Sequence, residues 1–115
     1  MLGFSLRALG RAAEAEPLQQ RALAIAETAL GPDHPDTASA LDSLATTLWA
    51  LGRAAEAEPL QRRALAITET ALGPDHPDTA TVLDNLAATL RTLGRTADAE
   101  PLHRQAAEIR NRHQH

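Results

Sequence analysis

The chain has 115 residues, a formal charge of −4, 43% apolar residues, one Phe, one Trp, no Tyr and no Cys. That length suits one compact unit rather than two domains, the charge excludes a basic field that would gather nucleic acid, and without Cys there is no disulfide, thiolate metal ligand or cysteine nucleophile. No apolar run approaches the roughly 20 residues of a membrane span, so no membrane partner is expected and a cytoplasmic location is the default.

The chain matches itself at a shift of 42 residues, and that register governs how each element reads. L-G-R occurs at 9–11, 51–53 and 93–95, A-E-P-L begins at Ala15, Ala57 and Ala99, and G-P-D-H-P-D-T-A begins at Gly31 and Gly73. Residues 11–52 and 53–94 differ at only eight of forty-two positions. In this register Met1 stands opposite Ser43. Residues 1–30 are therefore expected to hold a partial first repeat, a truncated first helix (helix A) followed by a second (helix B). Leu2, Phe4, Leu6 and Leu9 give that end an apolar face with nothing earlier to cover it. It reads as cut or mis-started, and as a surface for self-association or helix exchange.

The second repeat, 35–72, is complete. Leu41, Leu44, Leu48 and Leu51 recur at spacings of three and four with Ala45 beside them, which predicts an amphipathic helix A over 35–51. Pro35 suits its first turn, Asp33 or His34 its cap, and Asp36 and Thr37 the positive end of its dipole. Gly52 ends it. Ala57, Leu60, Ala64, Leu65, Ile67 and Leu72 then predict helix B over 54–72, closed by Gly73 and Pro74. Pro59 falls inside it, as Pro17 and Pro101 do in the other copies; either the helix bends near its start or it begins only at Glu58. The third repeat, 77–115, repeats the pattern, but its helix B turns polar: Ala107, His113 and Gln114 replace Leu65, Ala71 and Leu72. A closing repeat needs such a wetter outer face, and this end reads as natural.

The order Leu41, Leu44-Ala45, Leu48, Gly52, Ala57, Ala64 resembles the small-and-large signature of tetratricopeptide repeats, and the 42-residue unit with G-x-D-H-P-D-T resembles the kinesin-light-chain type. The resemblance covers essentially the whole chain. It implies an all-α, right-handed superhelical α-solenoid of antiparallel helix pairs, about two and a half repeats long, that binds protein. Gln61 departs from the family, which usually has an aromatic or other large side chain there, and the scarcity of aromatics implies looser packing.

Stacked helix pairs put the A helices on an inner, concave wall. Six of the eight differences pair Ser39 with Thr81, Ala40 with Val82, Ser43 with Asn85, Thr46 with Ala88, Trp49 with Arg91 and Ala50 with Thr92. They form one stripe beside the packing stripe. Either this wall diverged to read different parts of an extended ligand, or it is exposed surface that drifts after duplication, because surface changes are tolerated. The candidate partner-binding residues are Arg7, Ser39, Asp42, Ser43, Thr46, Trp49, Thr81, Asp84, Asn85, Ala88 and Arg91. Asn85 can donate to and accept from a peptide backbone, and Trp49 offers hot-spot surface. Asp42-Ser43 and Asp84-Asn85 stand where the family often has Asn-Asn. The Asp residues argue against a carboxylate clamp and for a peptide of basic character; alternatively they pair with neighbouring Arg residues.

Catalytic chemistry is not expected. His34 and His76 lie a whole repeat apart, so a capping or packing role outweighs a metal or acid–base role, and metal binding by His113 and His115 would be incidental. Glu14 and Glu16 recur in every unit, whereas catalytic groups should be unique in an array. Gly31 and Gly73 terminate helices rather than forming a phosphate loop. The expected function is a protein or peptide interaction module, part of a larger scaffold or regulatory protein, with no enzyme activity, cofactor or metal. The competing reading is a repeat unit that assembles with itself into a homo-oligomer.

Overall fold

Two turn types, repeated in register, divide the chain into helices. The structure is a computed structural model that describes residues 6–114, with side chains described from Leu9 onward. Its helices are α1 (Leu6–Leu30), α2 (Pro35–Ala50), α3 (Ala54–Leu72), α4 (Pro77–Thr92) and α5 (Thr96–His113), with no strand among the described residues. In the register of the repeat, α2 and α4 are A helices and α1, α3 and α5 are B helices.

The turn from A to B is built on Gly52. Its φ of 79° lies in the left-handed region, its N–H donates to the Trp49 carbonyl at 3.0 Å, and the Arg53 N–H donates to the Leu48 carbonyl at 2.8 Å. These two bonds satisfy carbonyls that the helix end would leave open. The same pair recurs at Gly94 and Arg95. The turn from B to A is built on the D-H-P-D-T segment. The His34 side chain is the cap, its Nδ1 accepting from the Asp36 N–H at 3.0 Å, and His76 does the same for Asp78. The cap therefore falls to His34 rather than Asp33. Fully buried Thr37 and Thr79 reach back across the turn, each hydroxyl donating to the carbonyl of Gly31 or Gly73 at 2.7 and 2.8 Å.

Helix α3 starts at Ala54 and runs through Pro59, so the later start at Glu58 is not taken. Proline here leaves the Ala55 carbonyl without its helical donor; Ala55 and Pro59 are both exposed, and water can take that bond. The first helix departs from expectation. Gly10 stands opposite Gly52, yet it lacks a left-handed φ and α1 passes through it unbroken. The truncated helix A and separate helix B expected across 1–30 are one helix over the described residues. A glycine inside a helix costs only about 1 kcal/mol, so α1 can continue through Gly10.

Packing follows the predicted stripes. Leu41 and Ala38 of α2 meet Ala64 and Ile67 of α3, joined by Val82 of α4, while Leu44, Ala45 and Leu48 meet Ala57. In the next unit Ala80 and Leu83 meet Ala106 and Ile109, and Leu86, Ala87 and Leu90 meet Ala99. Each fully buried Leu or Ile contributes roughly 1.5–3 kcal/mol. The partly buried Leu65 of α3 packs on both clusters of the following unit, and Leu23 of α1, its equivalent, does so one unit earlier. Leu51 and Leu72, drawn into the stripes by spacing, are only partly covered, Leu72 being 38% exposed.

The B helices are held together differently. The backbones of α2 and α4 approach each other, whereas no two of α1, α3 and α5 do, which puts the A helices on the inside of the stack. Long side chains bridge the wider outer gap: Arg53 bonds Glu16 at 2.7 Å, Arg95 bonds Glu58 at 3.0 Å, and Arg63 bonds Glu27 at 2.7 Å. The Arg of L-G-R thus reaches the Glu of A-E-P-L in the preceding unit. Hydrogen bonding from Arg62, with the charges of Arg95 and Arg62 adding, holds the Glu58 carboxyl below the usual range against a desolvation that opposes it.

Candidate partner-binding groove

Helices α2 and α4 lie side by side in parallel, and two hydrogen bonds with the same sequence offset fix their register. The Asn85 side chain donates to Asp42 Oδ2 at 2.9 Å, and the Trp49 indole N–H donates to Thr92 Oγ1 at 2.8 Å. Both pairs are separated by 43 positions, and a constant offset is what parallel helices give. The donor or acceptor on α4 is in each case a diverged residue: Asn85 replaces Ser43, and Thr92 replaces Ala50. Part of the diverged stripe is therefore the seam between repeats, a role that neither ligand reading nor surface drift anticipates.

Along this seam lie two recesses. One, of about 430 Å³, is lined by Pro35, Asp36, Ser39 and Asp42 of α2, Thr68 and Leu72 of α3, and Asp78, Thr81 and Val82 of α4. It carries three carboxylates and no basic residue. The other, of about 200 Å³, is lined by Thr46, Trp49, Gln61, Asn85, Ala88 and Thr89. The bonded Asp42–Asn85 pair stands between them, Asp42 facing one recess and Asn85 the other.

Buried polar atoms mark both. Burial pushes the Asp42 carboxyl up, with the Asn85 bond opposing, and its Oδ1 is buried with no partner. Gln61 is only 1% exposed, and its Oε1 also lacks a partner. An unsatisfied buried acceptor costs about 1–3 kcal/mol. Sequence reasoning marked Gln61 only as a departure from the family's large side chain. That substitution of a polar group at a packing position was the available signal.

The candidate residues divide accordingly. Ser39, Asp42 and Thr81 line the acidic recess, and Thr46, Trp49, Asn85 and Ala88 line the other. Ser43 is exposed on the same helix, and Arg91 is exposed but lines neither recess. Val82, read as part of the open stripe, is 7% exposed and belongs to the core. Asp84 is taken up by α5, where His103 Nδ1 lies 3.0 Å from its Oδ1 and Arg110 pairs with Oδ2. Pairing with a neighbouring Arg was one of its two readings, and α5 supplies it. Leu2 and Phe4, together with the side chains of Leu6 and Arg7, lie outside the described residues. Among the described residues no group of three His, Asp or Glu could hold a metal ion, and no helix is long and apolar enough to cross a membrane.

A tetratricopeptide repeat family model matches residues 1–70 and again 42–112. The chain belongs to the tetratricopeptide repeat family. The double match repeats the 42-residue register of the sequence, and the five helices are the all-helical repeat solenoid of that family. Two solved structures of Podosopora anserina kinesin light chain nearly identical TPR-like repeats, one of them carrying a single substitution, are similar at 28% identity, with TM-scores of 0.79 and 0.78. In each case 94% of this chain and 51% of the other are covered, so this tetratricopeptide array spans about half the length of the solved structures it matches. A search of curated proteins gives no match. Tetratricopeptide repeats are, as a class, protein-interaction scaffolds, and the kinesin-light-chain likeness read from G-P-D-H-P-D-T is met by these structures.

Proposed function

We propose that this array is a non-enzymatic interaction module that holds an extended protein segment in the groove between α2 and α4, as part of a larger cytoplasmic scaffold or regulatory protein. The observation that carries the reading is the pair of recesses on the A-helix side, each containing a buried acceptor that the fold leaves without a partner. Folded proteins pair such groups in the great majority of cases, and a bound partner is one source of the missing donors. A photo-crosslinking residue at Thr46, which is exposed and lines the smaller recess, should capture partners from the native host's extract that the same residue at Thr70, on α3, does not. Equal capture from both positions would contradict groove binding.

One observation favours a second reading, self-association through α1. Leu18 and Ile25 are each 64% exposed and Leu30 46%, all on this one helix. In α3 the equivalent of Ile25 is covered by α2, so a helix from a second copy is the matching cover. Sedimentation would decide it: a monomer at high protein concentration contradicts the homo-oligomer.

A further inference from the structure

The two recesses of the groove differ in chemistry, and their spacing defines a ligand. This inference rests on the groove reading above and sharpens it. The larger recess presents Asp36, Asp42 and Asp78 with no cation among its lining residues, so its complement is a positive charge. The equivalent acid of the third unit cannot serve the same purpose, because His103 and Arg110 of α5 already engage Asp84.

The smaller recess is a socket. Trp49 and Ala88 give it apolar wall, and Gln61, almost wholly buried, contributes a side chain whose Oε1 has no partner. Its volume of about 200 Å³ is several times the roughly 30 Å³ share of one water, so a side chain is the fitting occupant. A group with an apolar body and a terminal hydroxyl matches it. A hydroxyl can donate to Oε1, the end of the buried amide that lacks a partner.

The recesses succeed one another along the helices. Their lining residues on α2 and α4 are offset by roughly seven to nine positions, about 10–14 Å at the helical rise. An extended chain covers that distance in about four residues, and an even number keeps both side chains on the same edge.

We propose that the groove recognises an extended peptide in which a basic residue and a tyrosine-like residue stand four positions apart, the basic side chain in the Asp36–Asp42–Asp78 recess and the phenolic one against Gln61.

Fluorescein-labelled nonapeptides on a Gly-Ser background test this, carrying Arg and Tyr four apart in either order. At least one order should bind at least tenfold more tightly than the same peptide with Glu for Arg, or with the pair six apart. Phe for Tyr should lose about tenfold, the cost of leaving the amide unmet, and Q61L should erase that difference. The double variant D36N/D78N, altered only at exposed first-turn positions, should lose about tenfold of the Arg preference and flatten the salt dependence. Peptides that protect α2 and α4 from deuterium exchange regardless of Arg, spacing or hydroxyl would overturn this pairing and leave the groove reading standing. If neither these peptides nor a randomised nonapeptide library protects α2 and α4, both readings fall.

Discussion

Helices α1 and α3 carry almost the same sequence and lead different lives. Over residues 12–30 and 54–72 they differ only at Gln20/Arg62 and Ala26/Thr68, yet Ile25 is 64% exposed and its twin Ile67 is 5% exposed. Nothing in the side chains accounts for that. Ile67 is covered by α2, the A helix of its own unit, and α1 has no such helix before it among the described residues. In a repeat array the core belongs to the interfaces between helices, and a unit's stability depends on its neighbours more than on its own composition.

The largest effect should come from truncating the twins. I67A should lose about 3 kcal/mol of stability and I25A less than about 0.5 kcal/mol, as read by urea denaturation. Similar losses at both sites would mean that α1 is covered in solution, which would shift the balance towards self-association. Next are the turns that tie each B helix to the following A helix. H34A unties α1 from α2, H76A unties α3 from α4, and each should cost about 1 kcal/mol for a lost cap. H76A should lower the melting temperature more, because the helices it uncouples are both packed on two sides.

Smaller effects lie at the seam and depend on pH. Burial holds the Asp42 carboxyl above its ordinary value, so the native state keeps that proton to higher pH than the unfolded chain does. Stability from this group therefore falls as pH rises through that window, and at neutral pH ionised Asp42 is a net cost. D42N should raise the melting temperature at pH 7, with the gain shrinking towards pH 4, near the ordinary aspartate range. Glu58 has the opposite sign. Its carboxyl is held below the usual range by Arg62 and Arg95, so its contribution is present at neutral pH and is lost as pH falls through that lowered value. E58Q should therefore reduce stability slightly at pH 7, by less than about 1 kcal/mol for a pair this exposed on the Arg side, and make no difference in strong acid. A pH-independent E58Q effect would contradict the ion-pair account of the outer gap.

Much of the fold was legible in the sequence because duplication displays the same evidence twice. Leu41, Leu44 and Leu48 at helical spacing, the terminating Gly52 and the D-H-P-D-T turn each recur 42 residues on, and all were found in place. The break opposite Gly10 was not, because a glycine ends a helix only where the segments on its two sides pack against each other, and that is a property of neighbours. The groove was only partly legible. Position along α2 put Ser39, Asp42, Thr46 and Trp49 on one stripe, and they line the two recesses, but the pairing of Asp42 with Asn85 and of Trp49 with Thr92 joins residues 43 apart, one more than the repeat. Comparing equivalent positions cannot show such a bond. Its trace was the pair of changes from Ser43 to Asn85 and from Ala50 to Thr92, seven positions and two turns apart on one face. Asp84 could not be assigned from its equivalence to Asp42, because His103 and Arg110, which claim it, are specific to the third unit.

The claim that neighbours, rather than sequence, set the stability of each helix is tested most directly by native-state amide hydrogen exchange of α1 and α3 in the same molecule at low protein concentration. Amides of residues 18–30 should exchange through local opening at a small fraction of the global stability, while those of residues 60–72 should approach the global value. Equal protection of the twin helices, unchanged on further dilution, would contradict the account.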